Sequence, residues 1–107
     1  YTYLISRGGS VVLEAIPTPK KDWGSAVEVF EEVLSHERLV TELIDKMAEL
    51  AEKENDRATR SMLNWFIDEQ VEEEENAAGI LAKFKRAAGK PMGLMMLDRE
   101  LGKREDD

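Results

Sequence analysis

The strongest constraint in this sequence is a pair of long helical stretches separated by only Asn55-Asp56. Ser25, with Glu28 three residues later, has the form of a capping box, so a helix is expected to open at Ser25 and run to Glu54. Asn55-Asp56 is a turn and N-cap signal. A second helix is expected over Arg57–Ala87, weakened and open to bending at Gly79. Helices of about thirty residues are each ~45 Å long. A link of one or two residues makes them antiparallel neighbours. Gly89-Lys90-Pro91 closes the second helix, and a short helix is expected over Met92–Leu101.

The segment before this hairpin is of a different kind. Tyr1, Leu4 and Ile5 have helical spacing and stop at Gly8-Gly9, a helix C-terminus signal, and no N-cap precedes them. Residues 1–7 are therefore expected to be a short N-terminal helix or, as the pattern favours, the end of a longer helix. Residues 8–24 form a crossover, with an apolar run Val11–Ile16 and then Pro17-Thr18-Pro19, which blocks helix and favours extended chain. About sixteen extended residues reach ~50 Å, the full length of the hairpin. The expected fold class is all-α. A long crossover between long helices is a feature of one type of four-helix bundle, and residues 1–107 are expected to form one domain of that type.

Composition narrows the chemistry. The net charge is −8, from 15 Lys+Arg against 23 Asp+Glu. A polyanion is repelled by nucleic-acid backbones and by anionic membranes, so neither is an expected partner, whereas cations are. No run approaches the ~18 apolar residues of a membrane span. The chain has no Cys, which removes disulfides, iron–sulfur clusters and thiolate zinc sites, and its one His, His36, removes multi-His sites built from one chain. The tail, residues 103–107, is expected to be solvated.

The helices carry apolar stripes, and the stripes are interrupted by acids. Phe30, Leu34, Glu37, Thr41, Ile44, Ala48 and Ala51 form a heptad seam on the first long helix. Met62, Phe66, Glu69, Glu73, Ala77, Ile80 and Phe84 are expected to form the facing seam on the second. Glu37 lies eighteen residues before Asn55 and Glu73 eighteen after it, so the two are expected at nearly the same height, facing one another. Burying an isolated carboxylate costs several kcal/mol, and facing acids cost more. A hard cation between them removes the penalty, and oxygen ligands suit iron, manganese, magnesium and calcium. Glu74 and Glu75 read instead as a solvated helix face. His36, about 100° round the helix from Glu37, is expected off the seam near the surface. Met92, Met95 and Met96 read as packing residues, since thioethers suit soft metals.

The stretch Asn64-Trp-Phe-Ile-Asp-Glu-Gln-Val-Glu-Glu-Glu74 resembles the last long helix of bacterial and archaeal non-haem ferritins. Ile5-Ser-Arg-Gly-Gly9, Leu13-Glu-Ala-Ile-Pro17, Trp23, the segment Phe30–Glu37 and Met96–Leu101 agree with that family in order and spacing. On this resemblance, residues 1–7 end the second bundle helix, the two long helices are the third and fourth, and Met92–Leu101 is a short fifth helix near the four-fold axis of a 24-subunit cage. The resemblance implies a cytoplasmic iron store, a homo-oligomer that oxidises Fe(II) to Fe(III) with dioxygen or peroxide at a di-iron centre and mineralises the product. It implies that Glu37 and Glu73 are iron ligands, Glu73 shared with a neighbouring third iron position. It implies that Glu69 and Glu72 serve that third position and that Gln70 lies beside the dinuclear centre, bonded to a ligand or water.

One departure limits that reading. Ferritin-like sites take a Glu from each of two helices and, in the general pattern, Glu-x-x-His from the other two. This chain holds no Glu-x-x-His; Gln70-Val-Glu-Glu73 stands nearest, as in non-haem ferritins rather than bacterioferritins. The helices carrying the remaining ligands are expected upstream in a longer protein, in a separate chain, or replaced by a second copy of this hairpin. The competing functions are a non-catalytic helical assembly fragment that binds divalent or ferric cations weakly, and a rubrerythrin-like peroxidase, which the missing Glu-x-x-His and Cys disfavour.

Overall fold

The computed structural model describes residues 1–103; the tail residues 104–107, whose solvation was expected, lie outside the described residues. Four helices follow one another: α1 Thr2–Ser6, α2 Ala26–Lys53, α3 Arg57–Ala87 and α4 Pro91–Leu101. No strand occurs among the described residues. α2 and α3 form the antiparallel hairpin, and α3 runs unbroken through Gly79.

Local chemistry sets each boundary. α1 ends in a Schellman arrangement, with Gly8 N–H donating to the Ile5 carbonyl at 3.0 Å and Gly9 N–H to that of Leu4 at 2.9 Å. Gly8 supplies the left-handed residue, at φ 80°. At the start of α2, Ser25 Oγ accepts from Glu28 N–H at 3.2 Å. Glu28 reaches back one residue further than in the usual capping box, accepting from Gly24 N–H at 2.7 Å. A Cβ on Gly24 would stand 2.9 Å from that carboxylate oxygen, so a side chain there would shift the Glu28 carboxylate.

The hairpin turn joins two caps back to back. Asn55, at φ 55°, is the left-handed residue that ends α2. Its N–H donates to the Glu52 carbonyl at 3.0 Å, and Asp56 N–H donates to that of Ala51 at 2.8 Å. Asp56 is also the N-cap of α3, accepting from Thr59 N–H at 3.1 Å and from Thr59 Oγ1 at 2.6 Å. These bonds hold the Asp56 carboxyl below its ordinary pKa range. Tyr3 Oη lies 3.0 Å from Thr59 Oγ1, which docks α1 at this end of the hairpin.

The crossover must therefore travel to the opposite end, where α2 starts. It is fastened there by Lys20, whose Nζ bonds Glu28 at 3.2 Å and Glu32 at 3.1 Å, and by Trp23, whose Nε1–H donates to Glu32 at 2.6 Å. Glu32 is held below its ordinary range by Trp23 and then Lys20, Glu28 by the Gly24 N–H and then Lys20, and Lys20 is raised by Glu32 and then Glu28. At the same end α4 folds back, placing Leu97 with Phe84 and Ala87. Phe30 stacks on Phe84 with ring centres 4.9 Å apart.

The core is shallow. α2 packs through the expected seam, with Leu34, Ile44, Ala48 and Ala51 buried and Phe30, Glu37 and Thr41 half-buried. α3 does not use the expected seam. Its packed row is Leu63, Ile67, Gln70, Glu74, Ala77, Leu81 and Phe84, stepping strictly by four and three, with Leu63, Gln70, Ala77, Leu81 and Phe84 buried. The expected seam shares only Ala77 and Phe84 with it. That seam contained two successive steps of four, each drifting about 40° round the helix, so its middle lies on the neighbouring flank. The radius of gyration is 18.1 Å, against about 13 Å for a compact domain of this length. The molecule is half of a four-helix bundle, with the other half of its interior face open.

Candidate metal centre

Gln70 is the one buried polar residue of the described chain, at 8% exposure. It lies mid-way along the hairpin, and its Nε2 donates to the Glu37 carbonyl at 3.1 Å, to Glu37 Oε2 at 3.1 Å and to Thr41 Oγ1 at 3.3 Å. Thr41 Oγ1 in turn donates to the Glu37 carbonyl at 3.1 Å. An amide NH2 buried among oxygens that all accept is fully used, and no buried side-chain polar atom among the described residues lacks a partner.

This corrects the expected geometry. Residue counting from the turn put Glu73 opposite Glu37; the structure puts Gln70 there, three positions or ~4.5 Å nearer the turn. Glu73 is exposed and Glu69 half-buried, one helical face away from the α2–α3 contact. They share that flank with Met62, Phe66 and Ile80, as 100° per residue requires. Glu72 and Glu75 are exposed, Glu74 is half-buried in the packed row, and His36 is exposed as expected.

The open flank is apolar on both helices. On α2, Val33, Leu43 and Met47 are exposed on the side of the seam that the crossover approaches, where a cavity is lined by Trp23, Val29, Val33 and Glu37 among others. On the opposite flank the groove is edged by Arg38, Glu74 and Glu75. Glu37, Glu69 and Glu73 thus border an apolar surface that a protein element could cover.

The donor set suits a hard cation: carboxylate oxygens from Glu37, Glu69 and Glu73, with the Gln70 amide alongside. Among the described residues, however, no three His, Cys, Asp or Glu side chains converge closely enough to hold an ion.

Residues 1–87 match the ferritin-like domain model. The chain belongs to the ferritin family. It is 43% identical over 102 residues to a bacterial non-heme ferritin of Bacteroides fragilis, covering 95% of this chain and 63% of the relative. It is 38% identical over its whole length to one from Staphylococcus saprophyticus, spanning 64% of that protein. Among solved structures, an open pore ferritin from the archaeon Archaeoglobus fulgidus superposes with a TM-score of 0.95 at 38% identity, over 97% of this chain and 64% of that one. A humanized archaeal ferritin gives 0.96 at 37% identity, over 99% and 64%. The chain thus spans somewhat under two thirds of the relatives it matches, and its fold is the corresponding part of the ferritin four-helix bundle. No helix among the described residues is long and apolar enough to cross a membrane.

Proposed function

We propose that this chain is part of a cytoplasmic iron-storage protein and supplies one wall of a carboxylate di-iron site. At that site Fe(II) is oxidised to Fe(III) by dioxygen or peroxide, and the product is stored as mineral inside an oligomeric cage, of 24 subunits on the ferritin pattern. The observation that carries this reading is the Glu37–Gln70 pair at mid-hairpin, bordered by Glu69 and Glu73 on an apolar flank of a ferritin-family chain. Glu37 and Glu73 are assigned as iron ligands and Glu69 and Glu72 as carboxylates of an adjoining iron position, while Gln70 steadies Glu37. Anionic oxygen donors stabilise Fe(III) over Fe(II), which favours oxidation at such a site. The remaining donors come from the elements that cover the flank.

A second reading is supported by the lack of any converging trio of ligands among the described residues. On it, the chain by itself is a helical assembly fragment that binds divalent or ferric cations weakly and catalyses nothing. One experiment separates the two. Fe(II) is added under air to wild type and to the Glu37→Ala, Glu73→Ala double variant, and the ferric absorbance is followed. Faster oxidation by wild type supports the site; equal background rates in both leave the assembly reading.

A further inference from the structure

We infer that Thr41 is a positioning residue for the metal centre, fixing which end of the Gln70 amide faces Glu37. The inference rests on the iron site proposed above. A glutamine amide can present either a donor or an acceptor, and only its surroundings decide which. The Thr41 hydroxyl proton is engaged by the Glu37 carbonyl one turn earlier, at 3.1 Å, so Oγ1 offers Gln70 lone pairs only. The Glu37 carbonyl and Glu37 Oε2, both 3.1 Å from Nε2, are acceptors as well. Three acceptors therefore converge on Nε2. A flipped amide would set its oxygen against all of them in a buried position, where an unpaired polar atom is costly. With Nε2 held in this way, the amide oxygen makes no hydrogen bond among the described residues.

Thr41 matters most once iron arrives. A cation on the Glu37 carboxylate draws on the lone pairs that Gln70 uses in the free chain, and Oε2 becomes a poorer acceptor. The Glu37 carbonyl and Thr41 Oγ1 are then what keep the amide from turning. Sequence reading placed Thr41 merely in an apolar seam; a hydroxyl four residues after a candidate ligand, on the same helical face, is the signal that marks it.

The test is nitrogen-15 NMR of the Gln70 side-chain NH2 pair in the purified metal-free chain, for wild type, Thr41→Val, Thr41→Ala and Thr41→Ser. Losing one hydrogen bond of about 1 kcal/mol speeds amide-proton exchange about five-fold. That rise is expected in whichever of the Val and Ala variants keeps wild-type helicity, with wild-type behaviour restored in the Ser variant. Wild-type exchange in a folded hydroxyl-free variant, or no restoration by Ser, overturns the inference. Fe(II) oxidation by Glu37→Ala is measured alongside. An unchanged rate there overturns the iron-site reading itself, while a lowered rate with unaltered Gln70 exchange in the Thr41 variants overturns the role of Thr41 alone.

Discussion

The two stripes of α3 differ by only about a quarter of a turn of phase and by everything else. The packed stripe, Leu63 to Phe84, meets α2 and includes the buried Gln70, whose NH2 is bonded within the chain. The open stripe, Met62, Phe66, Glu69, Glu73 and Ile80, has apolar residues at comparable density, but only Ile80, at the α4 end, packs against a core cluster, and Phe66 and Glu73 are exposed. One stripe stabilises the hairpin and the other carries Glu69 and Glu73, two of the four acids that we assign to iron. Stability and chemistry are thus laid on adjacent faces of one helix, so each can be altered with limited damage to the other.

The sharpest way to break this comparison is to truncate an aromatic on each stripe. Phe84→Ala, which removes the stack on Phe30, is expected to lower stability by about 3 kcal/mol in urea unfolding followed by circular dichroism. Phe66→Ala is expected to change it by no more than about 0.5 kcal/mol in the same chain. Equal losses would mean that the flank is covered in solution. Next in size is Gln70→Leu, which keeps the volume but deletes the donor to Glu37; a loss of about 1 kcal/mol is expected. Glu73→Gln, on the exposed stripe, should leave the urea midpoint where it is and lower only the rate of Fe(II) oxidation. The smallest effect is that of pH on the ends of the hairpin. Glu28, Glu32 and Asp56 have depressed pKa values in the fold, so they contribute stability that is complete above their ordinary values of 4.5, 4.5 and 3.8 and is lost as pH falls further, through the depressed values. Trp23 fluorescence, reporting its bond to Glu32, should therefore change below pH 4.5 before the helical signal does.

Much of the architecture could be read from the sequence because its signals are local. Ser25, Asn55-Asp56, Gly8 and Gly89 act through their own backbone angles and nearest N–H groups, which neighbouring residues largely determine. The α2 seam was also legible, since its 4-3 spacing is unbroken. The α3 seam was misread for a physical reason. Both flanks of that helix are apolar, because a helix in a four-helix bundle touches two neighbours, and periodicity alone cannot say which neighbour is in the chain. The strict spacing of Leu63, Ile67 and Gln70 was the available discriminator. The facing of Glu37 by Gln70 rather than Glu73 depended further on how far each helix slides along the other, which counting residues from a turn does not give. Glu37, Glu69 and Glu73 were visible as residue types; that they do not close on an ion by themselves needed coordinates.

The turn at Asn55-Asp56 has a consequence well beyond its own two residues. Because Asp56 both terminates one helix and caps the next, the link has no slack, and the phase of α3 against α2 is indexed there as teeth index a gear. One inserted residue would advance α3 by about 100° and 1.5 Å. Gln70 would leave Glu37 and a residue of the other flank would be dialled into its place, about 21 Å from the insertion. Length variation at this loop tip, ordinarily the most tolerant part of a helical hairpin, should therefore be selected against as strictly as a change of ligand.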